Sequence, residues 1–166
     1  MSRSFLLIAA CAIAAYVPPT AAPARGAIDY GILGAPTTAD TNEFGGLQKT
    51  PESDLHIFRY FEAEHPKALT DPKKSEVDRI DLLVMFIGYQ RALFYTAVND
   101  RPKLVTSDDW SLIRQDEFDL IAMACGGQAR AAARYGLTDG QCNAWLKANQ
   151  GTLHKIQREQ AARGNK

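Results

Sequence analysis

Few residues in this 166-residue sequence have the type and spacing for chemistry. Glu62 and His65, three apart, would set a carboxylate and an imidazole on one helix face, as carboxylate-bridged di-metal bundles do. Such a site needs a second Glu-x-x-His and two further glutamates. The residue three before His154 is Gly151, so the second copy is missing. His56, His65 and His154 never fall four apart with an acid between them, so the zinc-protease pattern is missing too. A glycine-rich phosphate loop, a nucleophile-elbow serine and a haem-attachment cysteine pair are equally lacking. No catalytic residue, metal or cofactor is therefore assigned. A hydrolase using Glu62 or Glu64 as its acid or base is the least supported of the readings considered.

Arg91 is the most informative single residue. It sits among Ile87, Tyr89, Phe94 and Tyr95, in the most apolar part of the chain. An arginine buried there needs an anion beside it, because an unpaired buried charge is costly. The simpler source is internal: Asp116, Glu117 or Asp119. The other is a ligand carboxylate or phosphate, with Tyr89 and Tyr95 as pocket walls, which makes Arg91, Tyr89 and Tyr95 a candidate ligand site.

Cys125 and Cys142 pose a geometric problem. Were residues 108–135 one straight helix turning at Gly136, the two cysteines would be offset by roughly 10 Å along the hairpin. A disulfide needs Cα atoms about 4.4–6.8 Å apart. Gly126-Gly127 offers a break, with Gly126 as the C′ residue, that lets a short separate helix fold back and bring Cys142 to Cys125. A disulfide is the expected outcome. A redox-active pair is not, because no Cys-x-x-Cys is present.

The N-terminus bears on where such a bond would form. Arg3 precedes Phe5–Val17, a run without charge, followed by Pro18-Pro19 and by Ala22-Pro23-Ala24. This is the layout of a cleavable secretory signal, residues 1–24, too short to span a bilayer as a helix. Ile8-Ala9-Ala10-Cys11 is a rival, lipoprotein-type box, but its apolar core is short and the residues after Cys11 stay apolar. Cleavage after Ala24 removes Arg3 and Cys11, leaving 18 Lys and Arg against 19 Asp and Glu, and two cysteines. The location expected is periplasmic or secreted, where thiols oxidise. The neutral charge balance offers no electrostatic reason for nucleic-acid binding.

These residues must be placed by helices. Residues 25–49, rich in Gly, Pro, Thr and Ala, keep no period and read as a flexible or extended arm. Residues 50–166 read as the helical domain. Thr50 and Pro51 open a helix that Pro66 should stop, near 51–64. Ser75 opens the next, with Asp78 in a capping-box position; this helix is apolar nearly all round and reads as a bundle centre ending at Asn99–Pro102. Thr106 or Ser107 caps a third. Thr138 and Gln141 form a capping box before a last helix, whose Cys142, Leu146, Asn149, Leu153 and Ile156 share one face. Gly151 within it invites a kink.

Charge is segregated as well. Residues 108–119 carry Asp108, Asp109, Asp116, Glu117 and Asp119 against Arg114. Residues 147–166 carry Lys147, Lys155, Arg158, Arg163 and Lys166 against Glu159. Both patterns suit helix dipoles, and both suit docking to an oppositely charged partner. Arg130 and Arg134 read as solvated.

The fold class expected is all-α: a small antiparallel bundle of four to five helices with a flexible N-terminal arm and one disulfide. The function expected is non-enzymatic, an exported accessory or inhibitor-like protein that binds another envelope or secreted protein. The alternative is a small-molecule or lipid carrier using the bundle interior near Arg91. Neither nucleic acid nor an integral membrane span of the mature chain is expected.

Overall fold

The computed structural model describes residues 28–42, 44–69, 73 and 75–164. The expected signal 1–24, its cleavage after Ala24 and the alternative at Cys11 lie outside the described residues. The protein is an all-α bundle: α1 (Thr38–Asn42), α2 (Pro51–Leu69), α3 (Glu76–Asp100), α4 (Ser107–Cys125), α5 (Ala129–Arg134) and α6 (Asp139–Gly164). Two 3-10 turns, Gly31–Leu33 and Pro102–Leu104, complete it, and no strand occurs among the described residues. None of these helices is long and apolar enough to cross a membrane.

Local chemistry sets the helix starts. The first amides of a helix lack intrahelical partners, and a preceding Ser or Thr oxygen supplies one. Thr50 Oγ1 accepts from the Ser53 amide, and Ser75 Oγ from the Asp78 amide. Thr106 and Asp109 form a full capping box, as do Thr138 and Gln141. The end of α2 departs from expectation: the helix runs through Pro66 to Leu69. Pro66 lies in the last turn, so the one backbone bond its nitrogen cannot donate leaves little helix beyond it to unravel. Gly151 likewise sits inside a continuous α6.

Ring contacts fix the directions. Phe58 meets Phe94 while Phe61 meets Phe86, so α2 and α3 run antiparallel. Phe94 meets Trp110 while Arg91 meets Glu117, so α4 runs back along α3. From Leu83 to Val98, α3 is buried at nearly every position, which explains its lack of a polar face: it has neighbours on all sides. Two apolar clusters result. One joins α2, α3 and the start of α4 around Phe58, Leu93, Phe94 and Ile113. The other joins α3, α4 and α5 around Leu83, Ile87, Leu120 and Ala131.

The glycine break occurs where expected, one residue later in its key conformation. Gly126 closes α4 with a right-handed backbone and Gly127 takes φ +119°. The Gln128 amide then bonds back to the Met123 carbonyl, the bond pattern of a left-handed glycine cap. Gly136, φ +61°, ends α5 in the same way, with the Leu137 amide on the Ala132 carbonyl.

Residues 28–42 lie on the bundle. Thr37 and Asp40 cap α1 reciprocally, and the Asp40 side chain is buried against α3 and α5. Gly88 of α3 makes the room. A Cβ there would stand 2.5 Å from Asp40 Oδ1 and 2.9 Å from the Tyr135 hydroxyl. Gly88→Ala should therefore destabilise the protein by about 1–3 kcal/mol through overpacking, although alanine is the better helix former. Urea unfolding checks this, and a raised midpoint would refute it.

Candidate functional site

Arg91 occupies the junction between the two apolar clusters with no solvent exposure. Its Nε donates to Glu117 Oε1 at 2.8 Å and its Nη2 to the Gly34 carbonyl. The guanidinium carbon lies 5.7 Å from the ring centres of both Tyr95 and Tyr135, within cation–π range. Nη1 has no hydrogen-bond partner. The Tyr95 hydroxyl donates to the same Glu117 oxygen at 3.0 Å. Burial and the Glu117 charge together push the Tyr95 phenol well above its usual range, so it stays a donor. Of the three internal anions the sequence allows, the structure selects Glu117.

Tyr89 is not part of this group. Its hydroxyl donates to the Gly46 carbonyl at 2.8 Å, and its ring packs on Phe44 and Phe61. The structure thus brings Arg91 and Tyr95 together and turns Tyr89 toward the segment before α2.

A second polar cluster, not anticipated from the sequence, lies beside Arg91. Arg134 Nη2 donates to Asp40 Oδ1 at 2.7 Å, and the Tyr135 hydroxyl donates to that oxygen at 3.4 Å. Burial raises the Asp40 carboxyl, but the bonds from Arg134 and Thr37 outweigh it, and the net position is below the ordinary carboxylate value. Tyr135 is pushed up to about 12, by burial and then by Asp40. Arg134, expected to be solvated, is only 22% exposed. The one sequence signal for this cluster is Thr37-x-x-Asp40, itself a capping-box pattern. Arg130, 78% exposed, pairs with Asp81.

The acids of α4 mostly face inward. Arg59 of α2 grips Asp109 with two bonds, at 2.8 and 2.7 Å. Glu117 belongs to Arg91. Asp116 is buried, and burial first, then the neighbouring acids Glu62, Asp119 and Glu117, push its carboxyl well above the ordinary value. Gln90 of α3 donates to the Phe58 carbonyl at 2.9 Å and to Glu62 Oε1 at 2.7 Å. Among the described residues no group of three or more His, Cys, Asp or Glu converges as a metal ion requires. The side chains of Glu64 and His65 lie outside the described residues.

Cys125 and Cys142 are bonded, with Cα atoms 5.0 Å apart. The bond pins the first turn of α6 to the end of α4. Trp145, one turn on, packs on Phe118 at 5.0 Å. Beyond Trp145 no described residue joins either apolar cluster. Among the described residues, the side-chain bonds of residues 146–159 are internal to α6: Asn149 to Trp145, Arg158 to His154, and Lys155 facing Glu159. Leu146, Leu153 and Ile156 remain half-buried on one face, while Lys147, His154, Lys155 and Arg158 are exposed.

No family model matches the chain, and no curated protein or solved structure is significantly similar to it.

Removing the Arg91 guanidinium would strand Glu117, only 16% exposed, without its counter-ion. Arg91→Ala is therefore expected to cost roughly 3–5 kcal/mol. Arg91→Lys should recover little, because one ammonium cannot reproduce the planar fork between Glu117, Gly34 and the two rings. Denaturant midpoints of the two variants provide the check.

Proposed function

We propose that the chain is an exported, non-enzymatic protein that binds another envelope or secreted protein, and that it docks through α6 beyond Trp145. The observation that carries this reading is the stripe Leu146, Leu153 and Ile156, which belongs to neither apolar cluster and whose neighbours, among the described residues, make no bond to the rest of the bundle. The stripe is a narrow seam at four- and three-residue spacing, interrupted by Asn149. A seam of that width suits a partner helix better than a bilayer surface, which takes a broad apolar face. Its basic flanks favour an acidic partner.

Export is supported by the apolar run Phe5–Val17 and by the bonded cysteines, which suit an oxidising compartment. The internal engagement of Arg91 by Glu117, Gly34 and two tyrosines favours a structural role for it over the anchoring of a carried ligand.

The test is differential capture. Tagged residues 25–166 and the variant L153E/I156E are cross-linked in parallel to envelope extract. The wild type should retain a partner that the variant loses, with the two melting temperatures alike. Identical capture by both would remove α6 from the interface. Mass analysis of the native protein should find a chain beginning at Arg25 with no alkylatable thiol; an intact Met1 and free thiols in a cytosolic fraction would overturn export.

A further inference from the structure

α5 and α6 are fastened to the bundle in different ways. α5 is held without help from the cystine. Ala131 is fully buried, Arg134 bonds to Asp40, Arg130 pairs with Asp81, and the Tyr135 ring lies on Arg91. Among the described residues, the chain from Leu137 onward meets the apolar clusters only through Leu137 and Trp145. Trp145 is itself half-buried, and so is the Phe118 ring it packs on. The Cys125–Cys142 bond supplies the remaining link, between the end of α4 and the first turn of α6.

That link can be reached from outside. Both cysteines are half-buried, and both line a surface cleft of about 410 Å³. Gly127, Ala129 and Ala132 are among its walls, and their side chains are too short to roof it. A cleft of this size admits a small molecule. The bond is also polarised. Cys125 is the last residue of α4, and Cys142 lies in the first turn of α6. Negative charge is disfavoured at a helix end and favoured at a helix start; Asp139, in the same turn as Cys142, is exposed and solvated. An entering thiolate therefore displaces Cys142 more readily than Cys125, since the better-stabilised thiolate leaves faster.

We propose that the cystine is a reducible latch: a small dithiol entering this cleft cuts it at Cys125 and frees α6, while the rest of the bundle stays folded. The incoming thiolate bonds to Cys125 Sγ, the Cys125–Cys142 bond breaks, and its electron pair leaves on Cys142 Sγ, which takes a proton from water. The second thiolate of the reductant then attacks its own bound sulfur, closes a disulfide and releases Cys125, which is protonated in turn. The cystine gains two electrons and two protons, and the dithiol loses them. A catalytic redox pair would carry Cys-x-x-Cys spacing; here the protein's own bond is the substrate. In an oxidising compartment the latch is closed, and it opens on meeting a reductant. Its bearing on a partner rests on the docking reading, since freeing α6 changes how the seam of Leu146, Leu153 and Ile156 is presented. The latch itself does not depend on that reading.

The experiment treats the folded, oxidised protein with dithiothreitol in the absence of denaturant. Thiols are counted by alkylation and mass, and amide exchange is followed before and after. Both cysteines should become alkylatable. Residues 139–149 should then exchange about tenfold or more faster, while residues 83–98 and 113–121 keep their protection. Cys125→Ser combined with Cys142→Ser should give the same exchange pattern with no reductant present. Ala129→Leu, which narrows the cleft without touching the cystine, should slow reduction about threefold or more. Brief exposure to glutathione, quenched in acid, should place the mixed disulfide on Cys125. A cystine that resists dithiothreitol until urea is added would overturn the proposal. So would unchanged exchange at 139–149 after reduction, loss of protection throughout the bundle, equal reduction rates in wild type and Ala129→Leu, or an adduct on Cys142. Partner capture is read separately, so failure of the latch and failure of the docking reading are distinguishable.

Discussion

A guanidinium sealed from water sets the terms for this bundle. Taking the Arg91 charge out of solvent is expensive, and the cost is offset by a counter-ion, an acceptor and two ring faces, with Nη1 alone left without a hydrogen-bond partner. Glu117 of α4 supplies the counter-ion, the Gly34 carbonyl an acceptor from the N-terminal segment, and Tyr95 and Tyr135 two faces. Four parts of the chain meet at one residue. The apolar clusters on either side are not directional and would tolerate shifts in register. The planar fork does not, so it is the element that locks α3, α4, α5 and the segment before α1 into one arrangement.

The same demand for compensation organises the neighbouring polar groups. Asp40 can be buried because Arg134 and Thr37 bond to it, and Asp109 because Arg59 and Thr106 do. Asp116 differs: burial and the acids around it push its carboxyl well above the ordinary value.

Much of this architecture was legible in the residues because its causes are local. Thr50, Ser75, Thr106 and Thr138 act on amides within three positions, and all four mark real helix starts. The Gly126-Gly127 break followed from rise per residue and disulfide reach alone. Arg91 could be read as paired, since burial of a charge demands it, but which of three acids would answer was a matter of helix phase that periodicity did not resolve. Other features were illegible because their causes are distant. Arg134 leaves solvent because Asp40, 94 positions earlier, lies against it. Glu62, read first as half of a metal motif, instead accepts a bond from Gln90, 28 positions away.

The cystine has a consequence for the integrity of the chain. Cys125 and Cys142, 17 positions apart, close α5 and its two glycine turns into a covalent ring. A peptide bond hydrolysed anywhere inside that ring opens a circle rather than severing a line. The terminal helix would stay joined to the bundle after such a nick, and the molecule would keep its mass, save one added water, until a reductant arrived.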